Sequence, residues 1–333
     1  MTTLASASVL VGLNAAIAAI DGDAPKILCV KGPDGHPGLP YGPFDPARHR
    51  TFEIGLRDWV ERQTRLKLGF IEQLYTFGDK GRESPAALIE GGGVGTRIVS
   101  VGYLALAAEP ANVEGDGAQW RSWYDFFPWE DWRSGVPALL SNTIMSALRA
   151  WAERAEDENM RRTREERIGV AFGVSDLGWE EERTLDRYEL MYEAGLVEEA
   201  WRDRAAAGLP APRSDPGVAR RNGTSMGSDH RRMLATAIGR VRGKLKYRPI
   251  IFDLTTPTFT LLSLQQAVEA IVGFELHKQN FRRSVERGGF VEKTELSVQQ
   301  PSGRPAAVFK ASDELGQDRT AKGLTIPRLR QSP

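Results

Sequence analysis

The 333-residue chain holds one cysteine, Cys29, and four histidines, His36, His49, His230 and His277. With a single thiol no disulfide can close within the chain, and its place in the apolar run KILCV reads as a buried strand residue. The histidines show no zinc-ligand spacing and are too few and scattered to support a Ser-His-Asp triad. No stretch approaches the roughly 18 consecutive apolar residues of a membrane helix. Val9 to Ile20 is apolar, but the first basic residue is Lys26, so the positively charged start of a secretory signal is missing. A cytoplasmic protein is expected. Net charge is also lacking, because 44 Lys and Arg balance 44 Asp and Glu.

That balance hides a local excess. Between His230 and Lys310 stand 14 Lys and Arg against 6 Asp and Glu, a surplus of +8 that the remaining residues offset. A basic region on an acidic remainder points to a polyanionic partner, or else to a solvated basic face. The length fits two domains, or one domain with a large insertion.

Residues 1–107 alternate strand, helix and strand. SVLVGLNAAIAAIDGDAPKILCVK reads as two strands about a turn at Asp21-Gly22-Asp23. A Gly/Pro-rich loop, KGPDGHPGLPYGPFDP, follows. Phe52, Leu56, Trp59 and Val60 then recur at helical spacing. FIEQLYTFGD and RIVSVGYLALAA are strands. GGGVG (91–95) lacks the GK[ST] ending and the following helix of a phosphate loop, and is read as a plain loop. Residues 108–227 read as a mainly helical insertion, with helices around Leu148–Arg167 and Trp179–Arg204. Its Trp120, Trp123, Trp129 and Trp132 are expected to pack a core, with a ligand cage or an interface as the alternative. Residues 228–256 return to the first domain through a helix capped by Ser228 and stopped by Pro249, followed by IIFDL as a strand. Residues 313–333 read as a flexible tail.

Residues 257–312 carry the clearest signal. FTLLSLQQAVEAIVG is an amphipathic helix ending at Gly273, and HKQNFRRSVERGG is a second. VEKTELSVQQ and AAVFKA are strands around PSGRP. Helix, short turn, helix and hairpin make a winged helix-turn-helix. The second helix of such a unit enters the DNA major groove. Phe281 and Val285, four apart, face its core. His277, Lys278, Gln279, Asn280, Arg282, Arg283 and Arg287 are left for DNA, with Ser302 and Arg304 at the wing turn. Arg forks suit guanine, and Asn or Gln suits adenine.

These segments, with SDHRRMLATAIGRVRGKLKYRPIIFDL before them, resemble the winged helix of the Nudix-related transcriptional regulators, the NrtR group. LYTFGD resembles the Nudix half of that family, and YDFFPWEDWRSG resembles its alphaproteobacterial branch, the NadQ-type repressors of NAD biosynthesis. The likeness covers about 5–107 and 228–312. It implies an α+β chain: a Nudix-like α/β/α sandwich with a helical insertion, then a winged helix-turn-helix. It also implies a homodimeric repressor that binds double-stranded operator DNA and senses a nucleotide such as NAD, ADP-ribose or ATP, with no other cofactor and no membrane partner.

A Nudix hydrolase carries the box GX5EX7REUXEEXGU, whose carboxylates hold Mg²⁺ on a diphosphate. With its Arg-Glu placed on Arg57-Asp58, the first Glu falls on His49, the Glu pair becomes Glu61-Arg62, and Gly42 stands one residue early. Asp58 and Glu61 are the carboxylates left, and an Arg in the paired position repels the ion. A degenerate box of Gly42, Arg57, Asp58 and Glu61 is expected, without catalysis and without a metal. Tyr41, Phe44 and Arg57 are candidate ligand contacts, by the resemblance and by loop position. The competing class is a pyrophosphatase acting on ADP-ribose or a nucleoside diphosphate. A nucleotide-binding scaffold without DNA affinity is a third reading.

Overall fold

The computed structural model describes residues 8–32, 34–82, 96–174, 178–299 and 305–312. The GGGVG loop, Ser302, Arg304 and the 313–333 tail lie outside the described residues.

Strands β1 (Val9–Asp21) and β2 (Ala24–Lys31) form a hairpin, followed by the short strands β3 (Pro37–Gly38) and β4 (Tyr41–Pro43). Helix α1 (Phe52–Thr64) comes next, then β5 (Ile71–Phe77) and β6 (Arg97–Leu106). β1 runs parallel to β6, and the sheet order is β3-β2-β1-β6-β5. β4 pairs with the start of β1, and β7 (Gln119–Ser122) extends the sheet on β2. Period-two alternation sends β1 side chains to opposite faces. Leu13, Ala15 and Ile17 meet Leu56 and Val60 of α1, whereas Ala16 and Ile20 enter a larger core on the other face. Cys29 is buried in that larger core, where burial pushes its thiol up to about 12.

The larger core is filled by the middle of the chain. Trp123, Phe126, Phe127 and Trp129 are buried there, while Trp120 and Trp132 are half-buried. The helices are α2 (Met145–Glu153), α3 (Glu158–Phe172), α4 (Thr184–Glu193), α5 (Glu198–Ala206) and α6 (Pro216–Arg221). Each expected long helix is therefore two. Asp157 caps α3 by accepting from the Met160 amide at 2.7 Å, and Gly195, at φ 74°, stands between α4 and α5.

α7 (His230–Tyr247) lies on the sheet face opposite α1. Ser228 does not cap it. Ser228 is left-handed at φ 52°, and Asp229 is the cap residue, its carboxylate turned toward Arg82 and Arg232. IIFDL is a 3-10 turn (Ile250–Leu254) instead of a strand, because Ile250, Ile251 and Leu254 are buried at helical spacing. The end of the described chain is β8 (Thr258–Thr260), α8 (Leu261–Val272), α9 (Lys278–Arg287), β9 (Val291–Val298) and β10 (Ala306–Ala311), with β8-β10-β9 as a second sheet. α8 packs on α7 and on β2, so its apolar face shares the larger core with the first sheet. The fold is α+β: a Nudix-like domain followed by a winged helix. Among the described residues no helix is long and apolar enough to cross a membrane.

Candidate nucleic-acid interface and nucleotide cleft

α8 opens with a reciprocal cap. The Thr260 hydroxyl accepts from the Ser263 amide, and the Ser263 hydroxyl accepts from the Thr260 amide, both at 3.0 Å. It closes on Gly273 at φ 84°, a left-handed position where a side chain would be strained. The turn to α9 is held by two α8 side chains that the pattern of apolar residues did not reveal. Glu269 accepts from the Leu276 amide at 2.8 Å, and Gln265 donates to the Leu276 carbonyl at 3.2 Å.

α9 is then divided by face. Phe281 and Val285 are buried against α8, while His277, Lys278, Gln279, Asn280, Arg282, Arg283 and Arg287 are exposed. His277 is the cap residue, its Nδ1 accepting from the Asn280 amide at 3.4 Å. Among the described residues Lys278, Arg282, Arg283 and Arg287 form no ion pair. The structure thus brings the candidate DNA residues of α9 together on one open surface beside the β9–β10 wing.

The box helix α1 is arranged differently. Each of its carboxylates is bound to a cation. Arg57 donates Nε and Nη2 to Glu53 at 3.0 and 2.8 Å, Asp58 is paired with Arg62, and Glu61 lies 3.7 Å from Lys67. Arg57 also donates to the Leu68 carbonyl and, at 2.7 Å, to that of Gly69, so it latches the segment after α1. His49, where the placement on Arg57-Asp58 puts the first Glu, is buried, its Nδ1 accepting from the Asp45 amide at 3.1 Å and its Nε2 lying 3.4 Å from Asp58. The helix also ends late. Val60 takes the buried apolar place, Arg65 is the left-handed closing residue at φ 59°, and Leu66 packs under the sheet. Each landmark falls one residue after the placement on Arg57-Asp58. In that register the two metal-holding positions are Arg62 and Gln63, neither of them a carboxylate. Among the described residues no group of three or more His, Cys, Asp or Glu is placed to hold a metal ion. The donor set does not fit the Mg²⁺ of a Nudix hydrolase.

Beside α1 lies an open cleft of about 490 Å³ lined by Phe44, Arg48, His49, Trp59, Arg62 and Thr96, among others. Trp59 is fixed by an indole hydrogen bond to the Pro43 carbonyl at 2.9 Å, and the Arg62 guanidinium lies over its ring. Gly42 is required by this contact, since a Cβ there would sit 2.1 Å from the indole. Of the three candidate ligand contacts, Phe44 lines the cleft. Tyr41 instead pairs with Asn14 in the sheet and packs its ring 5.6 Å from that of His230, and Arg57 is occupied as described. Arg48, Trp59 and Arg62 were not singled out from the sequence as ligand contacts. Only the closure of the loop between β4 and α1 puts them together.

Residues 251–311 match the family model of the NrtR DNA-binding winged helix domain. This part of the chain is similar to an NrtR winged helix. A curated relative, the ADPR responsive transcriptional repressor NtrR of Acinetobacter baylyi, is 37% identical over 82 residues, which is 25% of this chain and 32% of that protein. The match therefore spans about a third of the repressor's length. Shewanella oneidensis NrtR, solved with a 27mer DNA, superposes over 94% of this chain and 99% of its own at a TM-score of 0.51 and 16% identity. A MutT/nudix family protein of Enterococcus faecalis covers 94% and 90% at a TM-score of 0.50 and 14% identity. At such identities the likeness is one of fold, and it runs through both the first sheet with its helices and the winged helix.

Proposed function

We propose that the protein is a homodimeric, cytoplasmic transcriptional repressor of NAD biosynthesis genes. It binds double-stranded operator DNA through α9 and the wing, and a nucleotide in the Nudix-like half changes that affinity. The observation that carries the reading is the surface of α9: four cations and three further hydrogen-bonding side chains, exposed and, among the described residues, without ion pairs, in a domain that matches the NrtR winged helix. Arg282 and Arg283 suit guanine edges, and Gln279 and Asn280 suit adenine. Ser302 and Arg304, by their place in the sequence between β9 and β10, are assigned to phosphate or the minor groove. A twofold dimer would present two such helices to a palindromic site.

The effector reading rests on the cleft. Its size is within the range of small-molecule sites. Phe44 and Trp59 offer aromatic faces for a base, and Arg48 and Arg62 offer forks for phosphates. ADP-ribose has first place among ADP-ribose, NAD and ATP, because the related Acinetobacter repressor is named for its response to it. With its carboxylates paired to cations, α1 is suited to binding and not to metal-assisted cleavage.

The test is to select bound genomic fragments, then titrate ADP-ribose, NAD and ATP against the complex. A shift in DNA affinity with at least one nucleotide is expected. If none of them alters binding, the sensing role is wrong. Mg²⁺-dependent release of nucleoside monophosphate from ADP-ribose would replace it with the hydrolase.

A further inference from the structure

The aromatic stretch Trp120–Trp132 does more than fill a core. The last turn of an α-helix leaves carbonyls without intrahelical donors. At the end of α8 these are met from outside the winged helix. The Tyr124 hydroxyl donates to the Ala270 carbonyl at 2.7 Å, Arg242 Nε of α7 donates to that of Ile271 at 2.8 Å, and the Trp132 amide donates to that of Gly273 at 2.6 Å. Behind them stands one buried carboxylate, Glu130. It accepts from Arg187 Nε and Nη2 at 2.6 and 3.0 Å and is paired with Arg242. Arg187 donates in turn to the carbonyls of Ala171 at the end of α3 and of Glu180. Glu130 thereby ties α3, α4, α7 and the end of α8 to a single point.

The same stretch is anchored in the first sheet. β7 is hydrogen-bonded to β2 with Ser122 opposite Lys26, and Tyr124 follows two residues later. β2 lies against β1, whose first residues, Val9 to Val11, line the nucleotide cleft. On the other side α9 begins a few residues after Gly273, across the turn held by Gln265 and Glu269. The setting of α9 against the Nudix-like sheet therefore runs through α8, by its apolar face on β2 and α7 and by the donors that hold its end. A buried charged cluster is often no better for stability than apolar residues of the same volume, but here its hydrogen bonds join four helices at Glu130.

We propose that Tyr124 and Glu130 are positioning residues for DNA binding. They fix the end of α8, and with it α9, against the Nudix-like sheet, and they carry the effect of a nucleotide in the cleft to the DNA face. The second half of this claim rests on the sensing role given above; the first half stands without it.

Tyr124→Phe tests the idea with little risk to folding, since it keeps the ring and removes one hydroxyl. Tyr192→Phe is the control. It deletes a comparable phenol hydrogen bond, to Asp203 at 3.0 Å, away from α8. Operator affinity is measured with and without ADP-ribose, and ADP-ribose affinity is measured without DNA. In Tyr124→Phe the nucleotide-induced change should shrink by about fivefold or more, within the span of ordinary allosteric coupling. ADP-ribose binding to the free protein should stay at the wild-type value, as should the response of Tyr192→Phe. A mere loss of stability would leave the ratio intact. A wild-type ratio in Tyr124→Phe overturns the relay. Hydrogen exchange on the free protein judges the positioning without any ligand. Faster exchange at the end of α8 and in the following turn supports it, and unchanged protection overturns it. A wild-type chain that ignores ADP-ribose instead sinks the sensing role and the relay built on it.

Discussion

α7 and α9 are both rich in basic residues, six in α7 and four in α9. In α7 each of the six has an acidic partner. Arg231 meets Glu199 at 3.1 Å, Arg232 meets Glu189 at 2.8 Å and Asp229 at 3.1 Å, and Arg240 and Lys244 converge on Glu72. Arg242 is bound to Glu130, and Lys246 lies 3.0 Å from Glu181 and 2.7 Å from Glu182. The α9 cations have none among the described residues. Ten of the 14 basic residues between His230 and Lys310 thus fall into two populations. One ties α7 to the sheet and the helical middle, and the other is open to an outside polyanion. A charge count along the chain adds them together, whereas only the second can draw a phosphate backbone.

The sharpest way to break this comparison is to unpair the inner population. Glu130→Ala leaves Arg187 and Arg242 buried without their shared carboxylate. Removing one partner of a buried pair costs about 3–5 kcal/mol. Urea unfolding should show that loss, while Arg282→Ala and Arg283→Ala stay within about 0.5 kcal/mol of wild type, as exposed substitutions do. Equal losses in both helices would erase the distinction.

The inner helix also starts on a group that must stay neutral. His230 is buried, its Nδ1 accepting from the Leu39 amide at 3.1 Å and its Nε2 facing Asn14 Oδ1 at 3.0 Å. Burial holds its pKa down to about 4, against the opposing pull of Asp34. In the unfolded chain the imidazole takes its proton near pH 6.5. Between those values the unfolded chain binds more protons, so stability is full above pH 6.5 and falls as the pH drops toward 4. The loss there is about 3 kcal/mol. The difference in urea stability between wild type and His230→Gln, followed over that range, should carry this slope. A pH-independent difference would show that His230 is protonated in the fold.

What could be read in advance divides along the same line. The faces of α9 were legible because Phe281 and Val285 mark the core four residues apart, and the turn and wing follow at once in sequence. The pairing of α7 was not, because Glu72, Glu130 and Glu199 lie far back in the chain and only the folded sheet and insertion bring them near. The end of the box helix was hidden for a related reason. Arg65, not a glycine, adopts the left-handed closing conformation, and that shifts the reading by one residue. The cleft beside α1 depends on a loop whose shape comes from His49 and Trp59 bonding to the backbone at Asp45 and Pro43. The break at Asp157 was local and legible in principle, since an Asp before a polar helix start is a cap signal.

On the outer helix the effects are smaller and appear in binding instead of stability. Arg282→Ala and Arg283→Ala should each weaken operator binding by about 1–3 kcal/mol if each fork meets a base edge. Phosphate contacts behave differently. Each one lost lowers the slope of log affinity against log salt by about 0.9, and the weakening is the same on any sequence. Titrations of each variant on operator and on random DNA, over a series of salt concentrations, separate the two. A loss confined to operator, with the wild-type salt slope, assigns the arginine to a base. An equal loss on both DNAs with a flatter slope assigns it to the backbone. No loss on either DNA would place the recognition surface elsewhere, and the exposed basic face of α9 would then be a solvated face with no polyanion to meet.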